Sequence, residues 1–164
     1  YDWKSPKPEQ LKLFRADLHR SLWEGLFSET PVLPMTWWWE FFYENGANSE
    51  FASVARFKDI MTTGGENKLM DIGIEVPEYV EAHGLKNGEA IYVWLRQTDN
   101  MQESKGEAVI GNIKRGMYQV RWYDTQKGRF YHSHKLKVTE DSGLVLPISH
   151  FEGRTDVALK IEQR

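Results

Sequence analysis

The 164-residue sequence contains no cysteine. This excludes disulfides, thiolate metal sites and a cysteine nucleophile, while leaving export open. No apolar run approaches the length that spans a bilayer, so no membrane span is expected. A basic excess is also missing: 21 Lys and Arg stand against 24 Asp and Glu, with a net charge of -3. Nucleic-acid binders usually carry a basic stripe, so no nucleic-acid partner is expected. No block of like charges suggests a membrane-surface helix. There is no internal repeat and no low-complexity segment. The opening Tyr1-Asp2-Trp3 carries no signal-peptide pattern and is the start expected of a mature or truncated chain.

What is present is a foldable composition, 40% apolar and 27% charged. Such a chain can bury a core and is expected to be ordered. Its length suits one ordinary domain or two small ones. Aromatic residues make up 13%, with seven Trp, and three of these are consecutive: Trp37, Trp38 and Trp39.

The pattern changes near Gly64-Gly65. Before it, Ser5-Pro6 reads as a helix start. Leu11, Phe14, Leu18, Leu22 and Leu26 follow at helical spacing, and Trp23 and Phe27 widen the stripe. Pro31 is expected to lie beyond the helix end. Val32 to Trp39 is short and nearly all apolar, as in a strand covered on both faces. A second helix is expected from Ser49, with Phe51, Val54, Phe57 and Met61 on its apolar face and Gly64-Gly65 as its stop. A parallel strand needs partners on both edges and helices on both faces. This first part is therefore expected to belong to something larger.

After Gly64-Gly65 the period is two. Ile91, Val93 and Leu95 share one face, with Tyr92, Trp94 and Arg96 on the other. Tyr118, Val120 and Trp122 repeat the pattern. Asp124 to Gly128 is a turn signal, and Arg129 to Val138 reads as the returning strand. Leu144 to Ile148 and Val157 to Ile161 add two more strands. Such spacing suggests an antiparallel sandwich.

The segments His19-Arg20-Ser21-Leu22-Trp23-Glu24-Gly25-Leu26-Phe27-Ser28 and Pro34-Met35-Thr36-Trp37-Trp38-Trp39-Glu40 resemble the end of the catalytic barrel in bacterial glycoside hydrolases of the cellulase and mannanase kind. Gly116 to Gly128, carrying Tyr118, Val120, Trp122, Asp124 and Thr125, is similar to the small C-terminal sandwich of those enzymes, as is Thr155 to Ile161. The resemblance covers nearly the whole chain in order. It implies a mixed fold: residues 1–66 as the last strand and helices of a β/α (TIM) barrel, and residues 67–164 as an antiparallel β-sandwich. It also implies a polysaccharide or oligosaccharide substrate, an upstream barrel segment of the same enzyme as partner, and a secreted, periplasmic or cell-surface location. No cofactor is implied.

Glycoside hydrolysis usually needs two carboxyl groups, about 5 Å apart for retention and roughly 6.5–9.5 Å for inversion. The family carries that pair on earlier barrel strands, so no catalytic residue is expected in this chain. Glu40 is the one carboxylate following a strand in an α/β pattern, where barrel active sites form. It is expected to contact substrate, the alternative being a solvated or loop-bonding carboxylate. Trp37, Trp38 and Trp39 offer rigid apolar faces to sugar rings, and strand alternation would turn Trp37 and Trp39 to one side and Trp38 to the other. The alternative for the indoles is core packing.

His19 lies among apolar neighbours and reads as a buried, hydrogen-bonded residue fixing helix to barrel. Tyr92, Trp94, Tyr123 and Tyr131 could form a sugar platform, although packing against the first part is favoured. His132 and His134 form an H-x-H pair on one strand face, with His150 as the only nearby third ligand. Without cysteine or a flanking Asp, no metal is expected there. A non-catalytic carbohydrate-binding or structural module is the competing reading. Loss of residues 1–65 is expected to improve solubility.

Overall fold

A computed structural model describes residues 6–28, 39–63, 68–98, 106–139 and 143–164. Residues 32–38 of the expected strand Val32 to Trp39, and the division at Gly64-Gly65, lie outside these residues. Among the described residues the chain forms three α-helices: α1 (Pro8–Leu26), α2 (Trp39–Glu44) and α3 (Asn48–Thr62). Nine short strands follow: β1 (Met70–Asp71), β2 (Ile74–Glu75), β3 (Val80–Lys86), β4 (Ala90–Gln97), β5 (Glu107–Ile110), β6 (Gly116–Asp124), β7 (Arg129–Val138), β8 (Leu144–Pro147) and β9 (Asp156–Gln163). A 3-10 turn, Ile148–Phe151, separates the last two. The fold is thus mixed, mostly antiparallel sheet with few helices.

One sheet runs in the order β1-β3-β4-β9-β6-β7, and a smaller one in the order β2-β5-β8. Every pairing among the described residues is antiparallel. The two sheets share one core. Val93, Leu95, Val120, Trp122, Val157 and Leu159 from the large sheet meet Ala108, Ile110, Leu144 and Leu146 from the small one. These are the alternate positions that a period of two sends to one face.

The other face of the large sheet is also apolar, because the helices cover it. Tyr92, Trp94, Tyr123 and Ala158 form a second core with Leu18, Leu22, Trp23, Phe27, Val54, Phe57 and Met61. Phe57 is its centre, with ring centroids 5.0 Å from Tyr123, 5.4 Å from Trp23 and 6.3 Å from Tyr92. Each buried aromatic of this kind contributes roughly 1.5–3 kcal/mol of apolar burial. The sugar-platform alternative for Tyr92, Trp94 and Tyr123 is therefore overturned, since all three are buried beneath α1 and α3.

Two details depart from simple periodicity. Phe51, expected on the apolar face of α3, is exposed, while Glu50 and Ser53 are buried. Ser53 is small enough to seat the helix on the β6–β7 turn, and its hydroxyl donates to the Thr125 carbonyl at 2.5 Å. In β7, the register shifts so that Trp122 pairs with His132 but Tyr123 pairs with Phe130. Tyr131 is the extra residue of a β-bulge. Phe130 thereby turns toward the helices and Tyr131 toward the inter-sheet core.

The β6–β7 turn is tied by Asp124, whose carboxylate accepts from the Lys127 backbone N–H at 2.8 Å. Gly128 closes it at φ +66°, and a Cβ there would meet Arg56 Nη1 at 2.7 Å. A Gly128→Ala chain is expected to lose about 1–2 kcal/mol, the cost of a left-handed non-glycine residue. A lowered denaturation midpoint in urea is the measurement.

Candidate functional site

The four residues with an expected sugar-contacting role fall into two groups. Trp37 and Trp38 lie outside the described residues. Trp39 and Glu40 open helix α2 rather than ending a strand. The physical reason is the neighbouring sequence. Phe41 and Phe42 are buried against the helical core, with their rings 5.5 Å apart and Phe41 edge-on to Phe14 at 5.7 Å. Asn45 then caps the short helix, its side chain donating to the Phe41 carbonyl at 2.8 Å.

With Phe41 and Phe42 anchored, the helical period turns Trp39 outward at 65% exposure and Tyr43, four residues on, outward at 67%. Positions four apart lie on the same helix face. Glu40 is exposed beside them. Two exposed aromatic rings with a carboxylate alongside make a surface suited to the apolar C–H faces of a polar ligand. Tyr43 escaped the sequence reading because a strand period was assigned to Trp39. The signal that would have found it is the i, i+4 spacing from Trp39.

A second constellation lies on the inner side of α1. His19 is buried at 6% exposure. Its Nδ1–H donates to Glu50 of α3 at 2.6 Å, and its Nε2–H to Asp156 of β9 at 2.9 Å. The same Asp156 oxygen accepts from the Trp94 indole N–H at 2.8 Å. Burial by itself would push the imidazole down. The hydrogen bonds and charges of Asp156 and then Glu50 outweigh it, and the His19 pKa is pushed up to about 9. His19 is thus buried and hydrogen-bonded as expected, but it clamps α1 to α3 and to strand β9 of the antiparallel sheet, where the sequence reading has it fix the helix to a barrel. The partners, 31 and 137 residues away, were not readable from sequence. An open groove of about 990 Å³ runs past this clamp, between α1 and the ends of β4 and β9. Both carboxylates lie at its wall, engaged by the histidine and with little exposed surface.

A third group is entirely histidine. His132 and His134 face inward from β7, and the 3-10 turn brings His150 to them. Their ring centroids are 4.5–5.1 Å apart. Burial, followed by the mutual proximity of the rings, pushes the pKa values of His134 and His150 down. The sequence offered His150 only as a candidate; the turn after β8 decides the meeting.

No protein-family model and no curated protein matches this sequence. Among solved structures, a glycoside hydrolase is similar with a TM-score of 0.53 and 16% identity, over 91% of this chain and 37% of that one. A family 5 glycoside hydrolase from Bacteroides vulgatus is similar with a TM-score of 0.52 and 13% identity, over 91% of this chain and 36% of that one. At these identities the likeness is one of fold. The chain spans little more than a third of the length of either protein.

Proposed function

We propose that this chain is the C-terminal portion of a glycoside hydrolase acting on a polysaccharide. In this reading residues 1–66 are the closing segment of a bacterial TIM-barrel catalytic domain. Residues 67–164 are a β-sandwich that braces it. Trp37, Trp38, Trp39 and Glu40 supply part of the sugar cleft, joined by Tyr43. The catalytic carboxylate pair belongs to upstream strands, and the whole enzyme works outside the cytoplasm, as a secreted, periplasmic or cell-surface protein.

The observation that carries the reading is the fold likeness to two glycoside hydrolases over 91% of this chain, against 37% and 36% of theirs. The outward Trp39 and Tyr43 supply a chemical reason, because sugar rings stack on flat aromatic faces. Among the described residues no helix is long and apolar enough to cross a membrane.

The test is release of reducing ends from a panel of plant and microbial polysaccharides. This chain alone is expected to be silent, and a longer chain carrying the upstream barrel is expected to be active. In that longer chain, Trp39→Ala should raise KM roughly tenfold, the scale of an aromatic contact worth about 1–1.5 kcal/mol. Hydrolysis by residues 1–164 alone would move the chemistry into this chain, with Glu40 the first residue to substitute.

The exposed Trp39–Tyr43 pair also suits a non-catalytic carbohydrate-binding or structural module. That reading prevails if the longer chain is inactive. Saturable polysaccharide binding, lost in Trp39→Ala, would then make it a binding module, and absence of binding a structural one.

A further inference from the structure

The three histidines of β7 and the 3-10 turn are not used by any part of the sugar reading. Each belongs to a different local constraint. His132 and His134 are two apart on one strand, so the pleat points both rings inward. His150 arrives from the turn that follows β8, in the other sheet. One ring nitrogen from each lies within 4.8 Å of the others. A tetrahedral ion held at about 2.0–2.1 Å from each nitrogen needs them roughly 3.3 Å apart, so binding draws the three rings closer together.

His134 supplies the second observation. Both of its ring nitrogens are buried, and neither meets a hydrogen-bond partner. A buried polar group without a partner costs about 1–3 kcal/mol. Neutral imidazole nitrogens with free lone pairs are ligands for borderline metals, whereas Ca²⁺ and Mg²⁺ require oxygen. All three histidines are part-buried residues, so the cluster lies near the surface of the sheet pair.

We propose that His132, His134 and His150 bind a divalent transition-metal ion of the zinc class, fastening the edge strand of the six-stranded sheet to the turn that leaves the three-stranded sheet. Three imidazoles hold the ion and a water completes a tetrahedral shell. The chain has no cysteine, so no disulfide can make this link. The ion does for the two sheets what a disulfide does in other small β-domains.

The experiment uses the whole chain, free of any histidine tag and stripped with chelator. It is titrated with Zn²⁺ by calorimetry and with Co²⁺ by visible absorption. One ion per chain is expected, with a dissociation constant of about 10 µM or tighter. Co²⁺ should give the intense visible bands of a four-coordinate site. Zn²⁺ should raise Tm by several degrees. His134→Gln and His150→Gln should each weaken binding at least roughly tenfold, in line with loss of one of three ligands, and remove the Tm rise. His83→Gln, which alters a histidine stacked on Trp94, should leave the binding unchanged. Failure of the unaltered chain to bind Zn²⁺ below about 100 µM overturns the site. Equal binding by folded His134→Gln overturns it as well.

Discussion

Replacing Asp156 with alanine is expected to destabilise the chain by about 3–5 kcal/mol, the range for breaking a buried ion pair by removing one partner. The loss is large because Asp156 serves two buried donors through one oxygen: the His19 imidazolium at 2.9 Å and the Trp94 indole at 2.8 Å. Alanine would leave the His19 Nε2–H and the Trp94 indole N–H beneath the helices without an acceptor, with Glu50 alone still facing the imidazolium. Denaturation in urea measures the loss. A midpoint within about 1 kcal/mol of the unaltered chain would mean that water reaches His19 and that the clamp contributes little.

The same clamp sets a pH dependence. The folded pKa of His19 is raised, from 6.5 to about 9. A raised folded pKa means that the folded state holds the proton more tightly than the unfolded chain does. The stability it contributes is complete below about pH 6.5 and is lost as pH rises through about 9. The shift corresponds to about 3 kcal/mol. His19→Gln should therefore show a flatter stability profile between these limits. Parallel profiles for the two chains would show that His19 is neutral when folded.

The second large effect concerns the helices as a whole. A chain cut to residues 68–164 is expected to aggregate or to unfold without cooperativity. Removing α1, α2 and α3 uncovers Tyr92, Trp94 and Tyr123, each at most 2% exposed in the intact chain. They lie side by side on neighbouring strands β4, β9 and β6, together with Ala158. A contiguous apolar patch of that kind drives association. The structure thus reverses the expectation that loss of residues 1–65 improves solubility. That expectation treated the helices as an unsupported remnant, whereas they complete a core with the sheet. Size-exclusion chromatography and a thermal melt of the shortened chain decide it. A monomeric shortened chain with a sharp melt would show that the sheet's outer face tolerates water.

Much of this architecture is written in local pattern. Leu18, Leu22 and Trp23 recur at helical spacing and are buried on α1. Ile91, Val93 and Leu95 alternate and fill the inter-sheet core. Asp124 to Gly128 carries turn chemistry and turns. These features depend on neighbours within a few residues, and a sequence displays such neighbours directly.

The failures have one physical origin. Trp39 follows an apolar run that reads as strand, yet the anchoring of Phe41 and Phe42 against Phe14 makes the segment helical. The bulge that sends Phe130 and Tyr131 to opposite faces comes from pairing with β6, not from the alternation of β7 itself. Periodicity assigns a face but not what covers it, so Tyr92, Trp94 and Tyr123 were open to two readings until α1 and α3 were seen above them.

By itself the sequence determined the helix stripes, the strand alternation, the turns and the lack of any thiol chemistry. It also made a buried, hydrogen-bonded His19 the expected outcome. Only the tertiary structure decided which carboxylates meet His19 and that His150 joins His132 and His134. Only it decided that Tyr43 stands beside Trp39 on an exposed face. The reason is distance along the chain: Glu50 and Asp156 lie 31 and 137 residues from His19. Contacts of that span follow from how the sheets and helices pack, and no local rule of side-chain periodicity encodes them.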